Sequence, residues 1–571
     1  MNTNEIQQIP LVIGVTGHRD LVDAEIPGVR ARIEALFSLL KNDFPDLPLL
    51  VLTGLAEGAD RLVVEVAAEF DSGIVNVLPM PKSLYELDFR DESLGEFSRL
   101  EARYRTIELP LLTQSRAEDV ALQGHQRDLQ YERLGSFLAA HSHILLALWD
   151  GKYNRAVGGT GQVVDFHQRD VSALADGQSR SRLDISDDES DLVYHVVCSR
   201  ESSGRPNDVL EPCTASWFTR NDMTPRVAVL PQRYVDVFES VQMFNRDSRA
   251  LPSDTSHFDL DPVDVPKNAA EACGAIRQVY GMSDTLSSRY QKRVLWALRT
   301  TLLSTVLAGL CFIVYADFSG QGNFIWGYFL VVGLALGSYW LAQGLDWQRR
   351  YLDYRVLAEG LRVQFYWALG GVEMENPSRY SHDSFFQGRD LQLGWIRNVM
   401  RVIGLHVDAG FKPTGDELAA TIMGWVGSDN SGQLGYYRHK AGDKLSKHKQ
   451  TGWVTAATFM LGLVAAAVLA FGSDYLHGST SNWLVAIMGL LPIVAASRQN
   501  YAHRLAEREL AAQYNHMLNV FENAHRLLKQ TESAAEQQSI LRDLGDAALN
   551  ENAQWVLRQR ERPLPGSDAA A

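Results

Sequence analysis

Four stretches without a charged side chain constrain this chain more than any other feature. They are the 17 residues between Arg299 and Asp317, the 28 from Phe318 to Leu345, the 24 from Gln450 to Ser473 and the 20 from Gly478 to Ser497. A helix needs roughly 17 to 25 predominantly apolar residues to cross a bilayer, and only helices and closed barrels satisfy their backbone there. Membrane helices are therefore expected over about 300–316, 324–343, 452–472 and 480–497. Buried core helices are the alternative. The aromatic residues at the ends of the runs, Trp296, Tyr315, Trp326, Trp340, Trp453, Tyr475 and Trp483, favour the membrane because such rings concentrate at its interfaces.

Averages conceal this. Over 571 residues the net charge is -15 and the mean hydropathy -0.15, figures that suggest an acidic soluble protein. Residues 281–571 carry 27 Lys and Arg against 25 Asp and Glu, leaving 27 against 44 in the first 280, so the excess acid belongs to the N-terminal part. An acidic surface argues against nucleic acid as a partner, since phosphate contact needs basic patches. Cys198, Cys213, Cys273 and Cys311 form no metal-ligand spacing, so no metal is expected. The N-terminus lacks the basic and apolar regions of a signal peptide.

Lys and Arg flank each pair of runs on the outside, as with Arg293, Arg299, Arg349 and Arg350, then Lys447, Lys449, Arg498 and Arg504, whereas the inner connections hold Asp317, Asp474 and His477. The positive-inside rule then places both termini in the cytoplasm and makes each pair a hairpin. No ionisable Asp, Glu, Lys or Arg lies within a run, which weighs against proton-coupled carriers. An anchor, an oligomerisation module or a pore built from several copies of the chain remains. After the hairpins come RRYLDYRVLAEGLRVQFYWAL and RQNYAHRLAERELAAQYNHML; at an offset of 149, Arg349, Arg355, Leu361, Gln364 and Phe365 fall on Arg498, Arg504, Leu510, Gln513 and Tyr514. An internal repeat is expected.

Residues 10–200 alternate apolar runs with glycine-rich turns and helical periodicity, the pattern of a Rossmann-like parallel sheet in an α/β domain. Strands are expected at Leu11–Val15, Leu49–Leu52, Gly73–Leu78, Ser142–Leu148 and Leu192–Val197. Ligands of such sheets bind beyond the carboxyl ends of the strands. The candidate binding residues are Gly14 in the first strand with Thr16, Gly17, His18 and Arg19 after it; Thr53, Gly54, Leu55, Ala56, Glu57, Gly58, Ala59 and Asp60 after the second; Pro79 after the third; Trp149, Asp150, Gly151, Gly158, Gly159, Thr160 and Gly161 after the fourth. Glycines admit close backbone approach, and helix N-termini attract phosphate. Neither turn is a Walker A loop or a G-x-G-x-x-G fingerprint.

The set GVTGHRDL, TGLAEGADRLV, VLPMP, ALWDG and GGTGQVV resembles the SLOG superfamily, and the hairpin with YLDYRVLAEGLRVQFYW resembles the SLATT group of two-helix membrane domains. The resemblance implies a sensor of a nucleotide or an NAD-derived signal, requiring no cofactor, coupled to a membrane effector in bacterial antiphage defence. It implies a multi-pass protein of the bacterial inner membrane. Enzymatic relatives of LOG type carry a glutamate where this sequence has Asp165, and they have a proline and a second threonine that are missing here; binding is favoured over N-glycosidic hydrolysis. The expected organisation is a nucleotide-binding domain over 1–220, a linker over 221–280, a first SLATT-like unit over 281–371, a cytosolic connector over 372–435, a second unit over 436–530 and a helical tail over 531–571.

Overall fold

A computed structural model describes residues 8–112, 115–153, 157–169, 192–202, 204–207, 209–219, 226–252, 260, 267–318, 320–372, 393–407, 411, 413–472 and 479–560. The hairpin tip holding Asp474, Tyr475 and His477, parts of the expected linker and connector, and the end of the expected helical tail lie outside these residues. The chain divides into two compact units. The first comprises Met1–His257, Pro266–Met282 and Gly360–Thr414; the second comprises Phe258–Val265, Ser283–Glu359 and Gly415–Ala571.

The first unit is built on strands β1 (Leu11–Gly17), β2 (Leu49–Thr53), β3 (Gly73–Leu78), β4 (Arg105–Glu108), β5 (Ile144–Trp149), β6 (Leu192–Val197) and β7 (Ala215–Phe218), in the order β4-β3-β2-β1-β5-β6-β7. All neighbours are parallel except β6 and β7. Strands buried on both faces read as unbroken Val, Ile and Leu runs, which is why β1, β2, β3, β5 and β6 stand out in the sequence. Edge strands β4 (RTIE) and β7 (ASWF) do not, because they are short and partly exposed. The helices used below are α1 (Ile26–Asp43), α2 (Ala59–Glu69), α3 (His125–His141) and α4 (Thr160–Arg169). Val163 and Val164 of α4 pack with Leu145, Ala147, Trp149, Val193 and Phe218 in one buried cluster.

Two segments outside the expected boundary of residue 220 belong to this core. Helix α5 (Gln232–Arg249) occupies the stretch expected as an irregular linker; it buries Tyr234, Val237, Phe238, Val241 and Phe244, a helical stripe masked by the Pro, Asp and Ser on either side. Its Asn245 grips the chain entering β1, accepting from Ile9 N–H at 2.9 Å and donating to Ile9 C=O at 2.9 Å. Farther along the sequence, after α6 (Gly274–Asp317), α7 (Phe324–Gly344) and α8 (Trp347–Gly370), helix α9 (Gly394–Gly404) lies within the expected connector and buries Trp395, Ile396, Val399, Met400, Val402 and Ile403. Its Asn398 carbonyl accepts at 3.0 Å from His143, whose other ring nitrogen accepts from Val12 N–H at 3.1 Å. Arg401 donates to Ser142 C=O at 3.2 Å. Since β5 begins at Ile144, these contacts lie at the amino ends of the strands.

The second unit is helical, adding α10 (Gly432–Phe471), α11 (Ser479–Arg504), α12 (Glu507–Gln530) and α13 (Ala534–Arg560). The four expected membrane segments all fall on helices long and apolar enough to span, and their most apolar windows are only 6 to 22 % buried. Apolar surface on this scale belongs in lipid, so the chain is a membrane protein. Small residues seat the hairpins against each other: Gly309 faces Ile493 and Gly489 faces Ile313.

The repeat is present in a different register. Asp346, between α7 and α8, and Ala506, between α11 and α12, both have φ of 50° and stand 160 positions apart. Around them Leu345 N–H bonds Leu341 C=O, Asp346 bonds Gln343 and Arg350 bonds Asp346; Leu505 bonds Tyr501, Ala506 bonds His503 and Leu510 bonds Ala506. At an offset of 149 Arg349 would match Arg498, which still lies inside α11 ahead of the break. Arg498 and Arg504 lie on α11 and Leu510, Gln513 and Tyr514 on α12, whereas the residues expected to match them all lie on α8.

Candidate functional site

The strand order places the site. From β1 the chain steps outward through β2, β3 and β4, then returns to the other side of β1 for β5 and β6. The loops after β1 and β5 therefore diverge at the switch point where open α/β sheets hold ligands. Gly17 pairs with Leu148 and Gly14 with Leu52, so the carboxyl ends of β2, β1 and β5 are adjacent.

The turn after β2 holds an anion of its own. Thr53 Oγ1 donates to Asp60 Oδ2 at 3.1 Å, Ala56 N–H donates to the same oxygen at 3.3 Å, and Leu55 N–H donates to Thr53 Oγ1 at 3.0 Å. Ala59 N–H, at the start of α2, is taken by His18 C=O at 3.1 Å. Asp60 is buried, and burial lifts its carboxyl to about 6 despite these donors and nearby Arg19. The glycines of the turn serve its packing. A Cβ on Gly58, whose φ is 73°, would lie 2.3 Å from Arg19 C=O, and one on Gly17 would lie 2.4 Å from the Ala59 Cβ. Glu57 accepts from the Ser93 hydroxyl, and Gly54 C=O accepts from Tyr85 at 2.9 Å.

The loops after β1 and β5 are joined by His18. Its Nε2 accepts from Asp150 N–H at 3.0 Å and lies 3.3 Å from Asp150 Oδ1. Burial depresses the imidazole pKa more than the Asp150 charge restores it, which keeps the ring neutral. Asp150 is 1 % exposed; Oδ1 accepts from Lys152 N–H at 3.1 Å, while Oδ2 is buried with no hydrogen-bond partner among the described residues. A buried carboxylate oxygen without a donor is costly. Next to it Gly151 has φ of 77°, with Leu210 filling the space of a side chain.

The segment after β6 closes one flank of this region. Asn207 N–H donates to Asp150 C=O at 2.9 Å, Arg200 pairs with Asp20 at 2.9 Å, and Ser199 Oγ donates to Glu25 at 2.6 Å. On the other flank exposed Arg19 lies over the Tyr131 ring at 5.3 Å. Gly158, with φ of 73°, passes against Tyr131 and Glu132, and its N–H donates to Gln162 at 2.6 Å. Gly159 and Thr160 are half-buried at the start of α4, while Gly161 packs against Trp149.

The expected residues thus divide. His18, Arg19, Asp150, Gly158, Gly159 and Thr160 gather around the switch point, with Gly151 and Gly161 as their close-packed supports. Thr53 to Asp60 form a self-contained turn beside them. Gly14 is in mid-strand, where Ser142 occupies the space of its missing side chain, and Thr16 is buried in β1. Trp149 belongs to the core. Pro79 follows β3, its carbonyl facing the Gln130 amide. Asp165 is half-buried on α4, beyond the first turn. Tyr131, Glu132, Ser199, Arg200 and Asn207 were not expected, because only the fold brings them there.

Residues 431–555 match the family described as SMODS and SLOG-associating 2TM effector domain 1. The second hairpin is thus similar to the SLATT group of two-helix membrane domains. It begins at α10 and continues through α11 and α12 into α13, so the matched region includes the left-handed break at Ala506 as well as both membrane segments. No curated protein and no solved structure matches the chain.

Proposed function

We propose that the α/β unit is a SLOG-like nucleotide sensor that controls the SLATT effector in antiphage defence. The carrying observation is Asp150 Oδ2, a buried acceptor without a donor among the described residues, at the switch point of the sheet. A ribose hydroxyl or a base N–H would satisfy it, while exposed Arg19 and the N-terminus of α4 suit the phosphate of the same ligand. The family description, which names SLOG as an associating domain, supports the pairing. The self-satisfied turn at Asp60 would position Arg19 and stay out of contact with the ligand. The reading includes cytoplasmic termini, a homo-oligomer and a first hairpin that is a second SLATT-like unit.

Ligand could act only through different affinities for two arrangements of the oligomer. The test is full-length protein in dye-loaded liposomes, exposed to a panel of nucleotides and NAD derivatives, with bound and released molecules read by mass spectrometry. Ligand-dependent dye release, lost in Arg19→Ala and Asp150→Ala, is expected. Binding with no effect on release would overturn the effector coupling, and multiple turnover of the ligand into product would favour the hydrolase.

A further inference from the structure

Beyond the sensor, we propose that the cytosolic end of α6 carries a binding site for an anionic phospholipid, independent of nucleotide. Lys292, Leu295, Trp296, Arg299, Thr300 and Leu303 line a cavity of about 270 Å³. Their spacing of three and four puts them on one helix face, with Lys292 and Arg299 about 10 Å apart along the axis at 1.5 Å per residue. Trp296 and Leu303 are 51 % and 61 % exposed.

Charge selects the occupant. From Asp284 to Asp317 the chain has no intervening carboxylate, and Asp284 is paired with Arg355 at 3.5 Å. Among the described residues Arg299 has one polar contact, Nε to the Tyr501 hydroxyl at 3.4 Å, which neutralises none of its charge. Two cations flanking an exposed indole, directly above an uncharged span, match a phosphate headgroup, a glycerol backbone and an acyl chain in that order. A soluble anion would leave Trp296 and Leu303 in water. The second hairpin provides an internal contrast: Lys449 and Trp453 repeat the Lys292 and Trp296 spacing, but Ala456 stands where the second cation would be.

The test uses the full-length protein in mild detergent, titrated with phosphatidylglycerol or phosphatidylcholine and read by native mass spectrometry. Wild type should prefer phosphatidylglycerol by about tenfold or more, at a contribution of one charge contact per cation. Lys292→Gln with Arg299→Gln should abolish the preference, Lys292→Arg with Arg299→Lys should keep it, and Lys449→Gln should leave it unchanged. Equal binding of the two lipids by wild type, or a preference that survives the double Gln variant, would overturn the site. Chain-to-chain cross-linking through Leu303→Cys with no bound lipid would replace the lipid by a second copy of the protein.

Discussion

Asp346 and Ala506 occupy the same place in two copies of one helical design, each holding a left-handed φ of 50° between a membrane helix and the helix that follows it. A residue with a Cβ pays about 1–2 kcal/mol for that conformation. Ala506→Gly should therefore raise the thermal stability of the detergent-solubilised protein, by up to about 1 kcal/mol. Ala506→Val should lower it, since a branched Cβ tolerates positive φ worst. Equal melting of the three proteins would show that the break is relaxed in solution.

Gly58 needs both its φ of 73° and the empty space facing Arg19 C=O. Because the obstacle is backbone, Gly58→Ala should cost about 3 kcal/mol or more and displace Arg19. Gly95, which has nothing within 4 Å of a Cβ and lies in the helix Asp91–Arg103, is the control. Gly95→Ala should be neutral or stabilising by up to about 1 kcal/mol. Thermal unfolding of the two variants side by side checks the contrast.

The Asp60 carboxyl, lifted by burial to about 6 from 3.8, holds its proton more tightly in the folded chain than in the unfolded one. Its contribution is full below about pH 3.8 and is lost as pH rises through about 6, a change of about 3 kcal/mol. Asp60→Asn removes this slope. Relative to wild type, the variant should gain stability between pH 4 and about pH 6 and level off above it; a difference that stays flat throughout would contradict the buried carboxyl.

His143 responds with the opposite sign. Burial, reinforced by Arg401, depresses its pKa to about 3, so below pH 6.5 the unfolded chain takes up a proton that the folded ring refuses. Stability from this group is present above about pH 6.5 and is lost as the pH falls toward 3. His143→Gln should cost about 1–3 kcal/mol at pH 7 by disturbing the bonds to Val12 and Asn398. The penalty should shrink by about 2 kcal/mol at pH 5, measurable in denaturation series at the two pH values.

Gly309 lies against Ile493 at a distance where a Cβ would approach the Ile493 Cδ1 to 2.7 Å. Gly309→Val should destabilise the bundle by about 1–3 kcal/mol through overpacking, and Ile493→Ala in the same chain should recover part of that loss. A double-mutant cycle on thermal stability measures the coupling, and strict additivity would remove the contact.

The sequence revealed what depends on local pattern. Strands buried on both faces, glycine-ended turns and four uncharged runs are all legible, because each is a run of neighbours. The stripe of α5 is equally local, but the Pro, Asp and Ser that flank it carry the composition of a linker. The contact between His143 and Asn398 joins residues 255 positions apart and leaves no spacing to read. The turn at Asp60 shows a subtler limit: a glycine-rich turn before a helix suits a phosphate or an internal carboxylate equally well, and only the bonds from Thr53 and Ala56 distinguish them. In the repeat, chemical identity at 149 competed with backbone geometry at 160, and the geometry defines the unit.

The α/β unit needs α9, yet α9 is encoded after the first membrane hairpin. As the chain leaves the ribosome, the sheet can gather its strands early but cannot seal its underside until the hairpin has been made. The first membrane hairpin thus leaves the ribosome before the α/β unit can be completed, so the emerging chain presents its apolar helices while that unit is still open.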